Sequence, residues 1–221
     1  MIVHLVTDRR RLSGAVPLDH ARRCLLRQAQ YAIDAGIDCI QIRERDLEAR
    51  ELADLATAVV ALTRRTLTRV IVNDRVDVAL ACGADGVHLR GDSIPAIAAR
   101  RLVPPGFLIG CSVHNVTQAI AASGADYLIA GTVWPTISKP DHHPLLGLKG
   151  FASIATAVSV PVLAIGGVTA ERVTAVARAG GAGVAAIGLF SDEPMGDDCR
   201  AVPLTEMLST IRQRFDSSRT R

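Results

Sequence analysis

Residues 70–89 read VIVNDRVDVALACGADGVHL. A short apolar run, 70–73, gives way to a helical pattern over 77–81. Gly83 closes that pattern, and a second apolar run, 86–89, follows. The runs are apolar on both faces, the mark of strands in a parallel sheet covered by helices. Glycine between helix and strand supplies the left-handed backbone of a helix C-cap.

The same unit recurs in both directions. Further strands are predicted over 2–7, 39–43, 108–111, 127–130, 162–165 and 184–187, with helices over 19–35, 49–64, 94–100, 116–122, 150–157, 170–179 and 204–215. Gly36, Gly124 and Gly180 repeat the junction made by Gly83. Eight strands alternating with eight helices predict an α/β fold, one (β/α)8 TIM barrel spanning residues 1–221. An open doubly wound sheet is the alternative; no GxGxxG follows the first strand, and the repeat shows no change midway. The stretches 134–148 and 191–202 read as loose, and the tail 216–221 as frayed.

The 221 residues carry 25 Lys+Arg against 22 Asp+Glu, with 49% apolar residues. That balance excludes a disordered chain and a polycation built for nucleic acid. One Trp, two Tyr and four Phe leave little for base stacking, so no nucleic-acid partner is expected. Cys24, Cys39, Cys82, Cys111 and Cys199 are widely spaced without CxxC, as for buried reduced thiols. There is no 18-residue apolar run and no signal-peptide pattern, so the expectation is a cytoplasmic protein with no membrane partner. The oligomeric state is left open, a homo-oligomer included.

In such barrels the chemistry gathers where the strands end. Gln41 and Arg43 share one strand face, with Arg45 beyond. Next come Asn73 and Asp74, then His88 and Asp92, then Ser112 and His114. The sixth strand runs into Thr132, Thr136, Ser138 and Lys139; the seventh ends in Gly166-Gly167, the eighth in Ile187-Gly188. Asp74 and Asp92 also read as helix caps. His142-His143 is a poor metal pair, since adjacent side chains seldom reach one ion.

Gly166-Gly167 ahead of a helix expected to start at Thr169 or Ala170, with Gly188 beside it, reads as a phosphate cradle or as a tight turn. Arg43, Arg45 and Lys139 come from separate loops and suggest a polyanionic ligand. Two carboxylates, Asp74 and Asp92, beside phosphates suggest Mg²⁺. The expected partners are therefore small phosphorylated substrates.

QIRER, VNDRVDVAL, GADGVHL, IGCSVH, ADYLIAGTVWPTISK and PVLAIGG, in that order, resemble the thiamine phosphate synthase and TenI-like (thiazole tautomerase) superfamily, from about Val3 to Phe190. The resemblance implies a (β/α)8 barrel that joins a hydroxymethylpyrimidine pyrophosphate to a thiazole phosphate and releases pyrophosphate. It also implies roles by position. Gln41, Arg43 and Arg45 match the pyrophosphate motif, with Arg45 in a lysine's place. Asn73 and Asp74 match an Asn-Asp pair whose aspartate binds Mg²⁺. Ser112 matches a serine near the pyrimidine and pyrophosphate, and Thr136, Ser138 and Lys139 a segment touching both phosphate groups. Gly167 and Ile187-Gly188 match the thiazole-phosphate cradle.

There are departures from the pattern. The family's Gly-Gln-x-Asp after the strand-four histidine ends in the second Mg²⁺ ligand; Ser93 stands there, with Asp92 one residue early. Gly188 replaces a serine, and Thr132 replaces a proline common in synthases. The alternative activity is the tautomerase, whose histidine base falls where Thr132 stands. A binder of a thiamine precursor without catalysis is the third reading.

Overall fold

The computed structural model describes residues 1–13, 17–137, 144–191 and 204–218. Strands β1 (Ile2–Val6), β2 (Cys39–Ile42), β3 (Arg69–Asn73), β4 (Gly86–Leu89), β5 (Leu108–Val113), β6 (Tyr127–Gly131), β7 (Val162–Ile165) and β8 (Gly183–Ala186) pair in parallel and close in chain order. Closure removes the open-sheet alternative, since β1 pairs with β8 from Ile2↔Gly183 to Leu5↔Ala186.

Alternation along each strand sorts the side chains. Val3, Leu5, Ile40, Ile42, Val70, Val72, Val87 and Leu89 face outward into the large core shared with the helices. The other parity faces the barrel axis, where Val6, Tyr127, Ile129, Leu163 and Ala185 form a second, smaller cluster. His4, Gln41, Asn73 and His88 occupy the same inward parity and are buried. Gly110 makes room for this interior: a Cβ there would fall on the Tyr127 ring.

The helices are α1 (Arg9–Ser13), α2 (Leu18–Asp34), α3 (Ala49–Thr63), α4 (Val76–Ala81), α5 (Ala96–Arg100), α6 (Val116–Ala121), α7 (Gly147–Ala157), α8 (Val173–Arg178) and α9 (Leu204–Asp216). On α2 the buried side chains Ala21, Leu25, Gln28, Ala32 and Ile33 keep helical spacing and pack on the barrel. The four junction glycines all adopt positive φ: Gly36 at 77°, Gly83 at 69°, Gly124 at 93° and Gly180 at 81°. No described helix is long and apolar enough to cross a membrane. The cysteines Cys24, Cys39, Cys82 and Cys111 are buried and form no disulfide among the described residues.

Several expectations need correction. α1 is missed by the periodicity because five residues, RRRLS, hold one apolar side chain. α8 opens at Val173, because the Arg172 N–H closes a separate turn on the Thr169 carbonyl at 3.1 Å. The helix therefore does not start directly behind Gly166-Gly167. β8 ends at Ala186, and Gly188–Phe190 turns back as a 3-10 helix. Asp74 and Asp92 cap nothing: the residues before α4 and α5 are Arg75 and Pro95. Ser138, Lys139, His142, His143 and Cys199 lie outside the described residues, as does the tail from 219.

Candidate active site

The strand ends surround one cavity of about 630 Å³, within the range of small-molecule sites. From β2 and the loop after it come Gln41, Arg43 and Arg45; from β3, Asn73; from β5, Ser112. Thr136 follows β6, Gly166 and Gly167 follow β7, and Ile187 and Gly188 follow β8. Asp92 is on the rim. The structure thus brings these sequence-predicted residues to one mouth. Asp74 is not among the residues lining the cavity; it lies against Ser93 and Arg90.

Arg43 and Arg45 are held by a buried polar network at the start of the chain. The Thr7 hydroxyl donates to Glu44 Oε1 at 2.7 Å and accepts the Arg43 N–H at 3.0 Å. Arg9 Nη1 donates to Glu44 Oε2 at 2.8 Å and to Asp46 Oδ1 at 2.7 Å, and Arg9 Nη2 also donates to Asp46. Arg9 and Glu44 are buried, while Asp46 is partly exposed. Hydrogen bonds from Arg9 hold the Asp46 carboxyl down at about 2. Arg9 is therefore a positioning residue that sequence reasoning missed; its signal is a charged cluster directly after the first strand.

Arg43 is half-buried, and among the described residues neither its guanidinium nor that of Arg45 has an ion-pair partner. Burial, and then the adjacent Arg45 charge, lower the Arg43 pKa; Asp8 and Glu44 act against them, and the Arg90 charge adds a smaller lowering. Crowded guanidiniums facing a cavity mark an anion site. Arg11, Arg90 and Arg172 also line it, against one carboxylate, Asp92.

At the floor, His88 Nε2 lies 2.9 Å from Ser112 Oγ. Burial, reinforced by the His4 charge, lowers His88 to about 3, so its ring is neutral. Gln41 Nε2 and His88 Nδ1 are buried without hydrogen-bond partners. Buried polar groups normally find partners, so an open amide donor beside a cavity points to a polar ligand. His114 Nδ1 sits 2.5 Å from the Gly131 carbonyl, and the α6 cap is the neighbouring Asn115.

Across the mouth, Gly166 (φ 94°) and Gly167 (φ 62°) adopt backbone that side chains disfavour. A Cβ on Gly167 would come 2.5 Å from the Pro135 carbonyl. Arg172 Nη1 donates to the Gly167 carbonyl at 2.5 Å, and its Cζ lies 5.2 Å from the Trp134 ring centroid. Arg172 is the residue directly ahead of α8. The buried Gln28 Nε2 donates to the Phe190 carbonyl at 3.0 Å and secures the turn bearing Gly188.

A family model described as thiamine monophosphate synthase matches residues 5–190. A thiamine-phosphate synthase from Roseiflexus castenholzii is 43% identical over 195 residues, covering 87% of this chain and 82% of the relative. One from Methanoculleus marisnigri is 47% identical over 167 residues, covering 75% and 79%. The solved thiamine phosphate pyrophosphorylase from Pyrococcus furiosus superposes with a TM-score of 0.78 at 31% identity, covering 96% of each chain.

Proposed function

The chain belongs to the thiamine monophosphate synthase family, and on that premise we propose that its cavity couples a hydroxymethylpyrimidine pyrophosphate to a thiazole phosphate. It is a transferase of thiamine biosynthesis. The observation that carries the residue assignment is the two-sided mouth, with Arg43 and Arg45 on one side, neither in an ion pair among the described residues, and Gly167 and Gly188 on the other.

The pyrophosphate end sits against Arg43 and Arg45, with Thr136 on the rim and Ser138 and Lys139 next to it in sequence. Gln41, Asn73 and Ser112 face the pyrimidine. Gly166, Gly167, Ile187 and Gly188 receive the thiazole phosphate. The methylene C–O bond breaks, and its electron pair leaves with pyrophosphate, neutralised by the guanidiniums. The thiazole nitrogen then donates its lone pair to the pyrimidine-methyl cation and forms the C–N bond. No protein nucleophile is required; the chain contributes positioning and charge stabilisation.

The Mg²⁺ implied by the family resemblance needs carboxylates that converge on one point. Asp74 and Asp92 do not offer that arrangement. Asp74 accepts the Ser93 hydroxyl through Oδ1, and its Oδ2 lies 3.5 Å from Arg90 Nη1. Asp92 Oδ2 accepts Arg90 Nη2 at 2.5 Å and is largely exposed. Among the described residues no group of three His, Cys, Asp or Glu side chains is placed to hold a metal. No step here is therefore routed through an ion.

The test mixes the purified protein with both substrates and follows products by mass. Thiamine phosphate and pyrophosphate in equal amounts are expected. Exchange of a carbon-bound proton of the thiazole phosphate in deuterated water, with no coupling, would instead establish the tautomerase.

A further inference from the structure

The loop after β4 carries a cation between two acids. Arg90 Nη1 lies 3.5 Å from Asp74 Oδ2, and Nη2 lies 2.5 Å from Asp92 Oδ2. The turn is fixed by its own backbone. The Arg90 N–H donates to Ser93 Oγ at 2.8 Å, the Ser93 N–H donates to the Arg90 carbonyl at 3.2 Å, and Ser93 Oγ donates to Asp74. Asp74 holds φ at 65°, an unusual conformation for an aspartate, and its N–H donates to the His88 carbonyl at 2.9 Å. Arg90 lines the cavity together with Arg43 and Arg45.

We propose that Arg90 is a binding residue for the diphosphate end of the substrate, and that its guanidinium supplies the positive charge that a divalent cation would otherwise bring to the phosphates. The proposal rests on the coupling reading above. Three departures from the family pattern fall in one four-residue turn: Arg90 for the expected glycine, Gly91 for the glutamine and Ser93 for the aspartate. Ser93 removes a metal ligand. Arg90 supplies a fixed positive charge in the same turn. Arginine has five N–H donors and no acceptor, so pairing with Asp74 and Asp92 leaves donors for phosphate oxygens. The two carboxylates then orient the guanidinium rather than hold an ion. The Arg90 charge is felt at Arg43, which places both guanidiniums in one electrostatic field.

The experiment is calorimetric binding of inorganic pyrophosphate to the full chain, in EDTA and then in Mg²⁺. For the wild type, dissociation constants within about threefold of each other are expected. Arg90→Gln should weaken binding in EDTA at least tenfold. The double variant R90G/S93D, which puts back the family's glycine and aspartate, should bind at least tenfold more tightly with Mg²⁺ than with EDTA. Wild-type binding that needs Mg²⁺ by tenfold or more, or Arg90→Gln binding as tightly as wild type in EDTA, overturns the proposal. If Arg90→Gln does not fold, the wild-type comparison and the double variant decide. Product formation is scored separately. Pyrophosphate binding without coupling refutes the function and leaves Arg90 in place, whereas coupling with Mg²⁺-dependent binding does the reverse.

Discussion

Replacing Arg9 with methionine should destabilise the protein by about 3–5 kcal/mol at pH 7. The Glu44 side chain is 2% exposed, and its two oxygens meet Arg9, the Thr7 hydroxyl and the Arg9 backbone N–H. Arg9→Met removes the only full positive charge paired with that carboxylate among the described residues. Breaking a buried pair by removing one partner costs about 3–5 kcal/mol. Urea unfolding of wild type and variant at pH 7, with linear extrapolation, reads the difference directly. The double variant Arg9→Met, Glu44→Gln should recover most of the loss. A loss below about 1 kcal/mol, or a double variant no more stable than Arg9→Met, would refute the reasoning.

Arg43→Ala should lower turnover by two to three decades, since removing one such charge-stabilising contact costs ~2.7–4 kcal/mol of barrier; steady-state pyrophosphate release checks it. Gly167→Ala should weaken thiazole phosphate binding about tenfold or more, because its Cβ would meet the Pro135 carbonyl and its φ of 62° disfavours a side chain; calorimetry with the thiazole phosphate reads this. His4 and His88 are held neutral by burial, at about 3 against an ordinary 6.5. The unfolded chain gains their protons first on acidification, so stability is full above pH 6.5 and falls from there toward pH 3. The slope is roughly 1.4 kcal/mol per pH unit per histidine. Urea midpoints between pH 7 and pH 5 should decline accordingly, and His88→Asn should flatten the decline.

The barrel was legible because its strands are apolar on both faces and its junction glycines recur. Both signals are local and survive in a single sequence. Gln41 and Arg43 were legible for the same reason, since strand parity sends them to one side and Ile40 and Ile42 to the other. Arg9, Arg90 and Arg172 were not. Their placement depends on where short turns begin, and an arginine carries no periodic signal. Arg9 sits in a five-residue helix, too short to show a face. Arg172 falls in the first turn of the helix expected over 170–179, because nothing in TAERVTAV separates a turn from a first helical turn. The pairing of Asp74 with Asp92 gives Arg90 no role, although its side chain is what meets both.

A crystal of the protein soaked with pyrophosphate and thiazole phosphate together would put the single mouth to trial. The two phosphorylated groups should occupy one cavity, one against Arg43 and Arg90 and the other against Gly167 and Gly188, with the thiazole ring turned toward the pyrophosphate. Anions bound at separate openings, or an arginine rim left bare while pyrophosphate sits elsewhere, would contradict it.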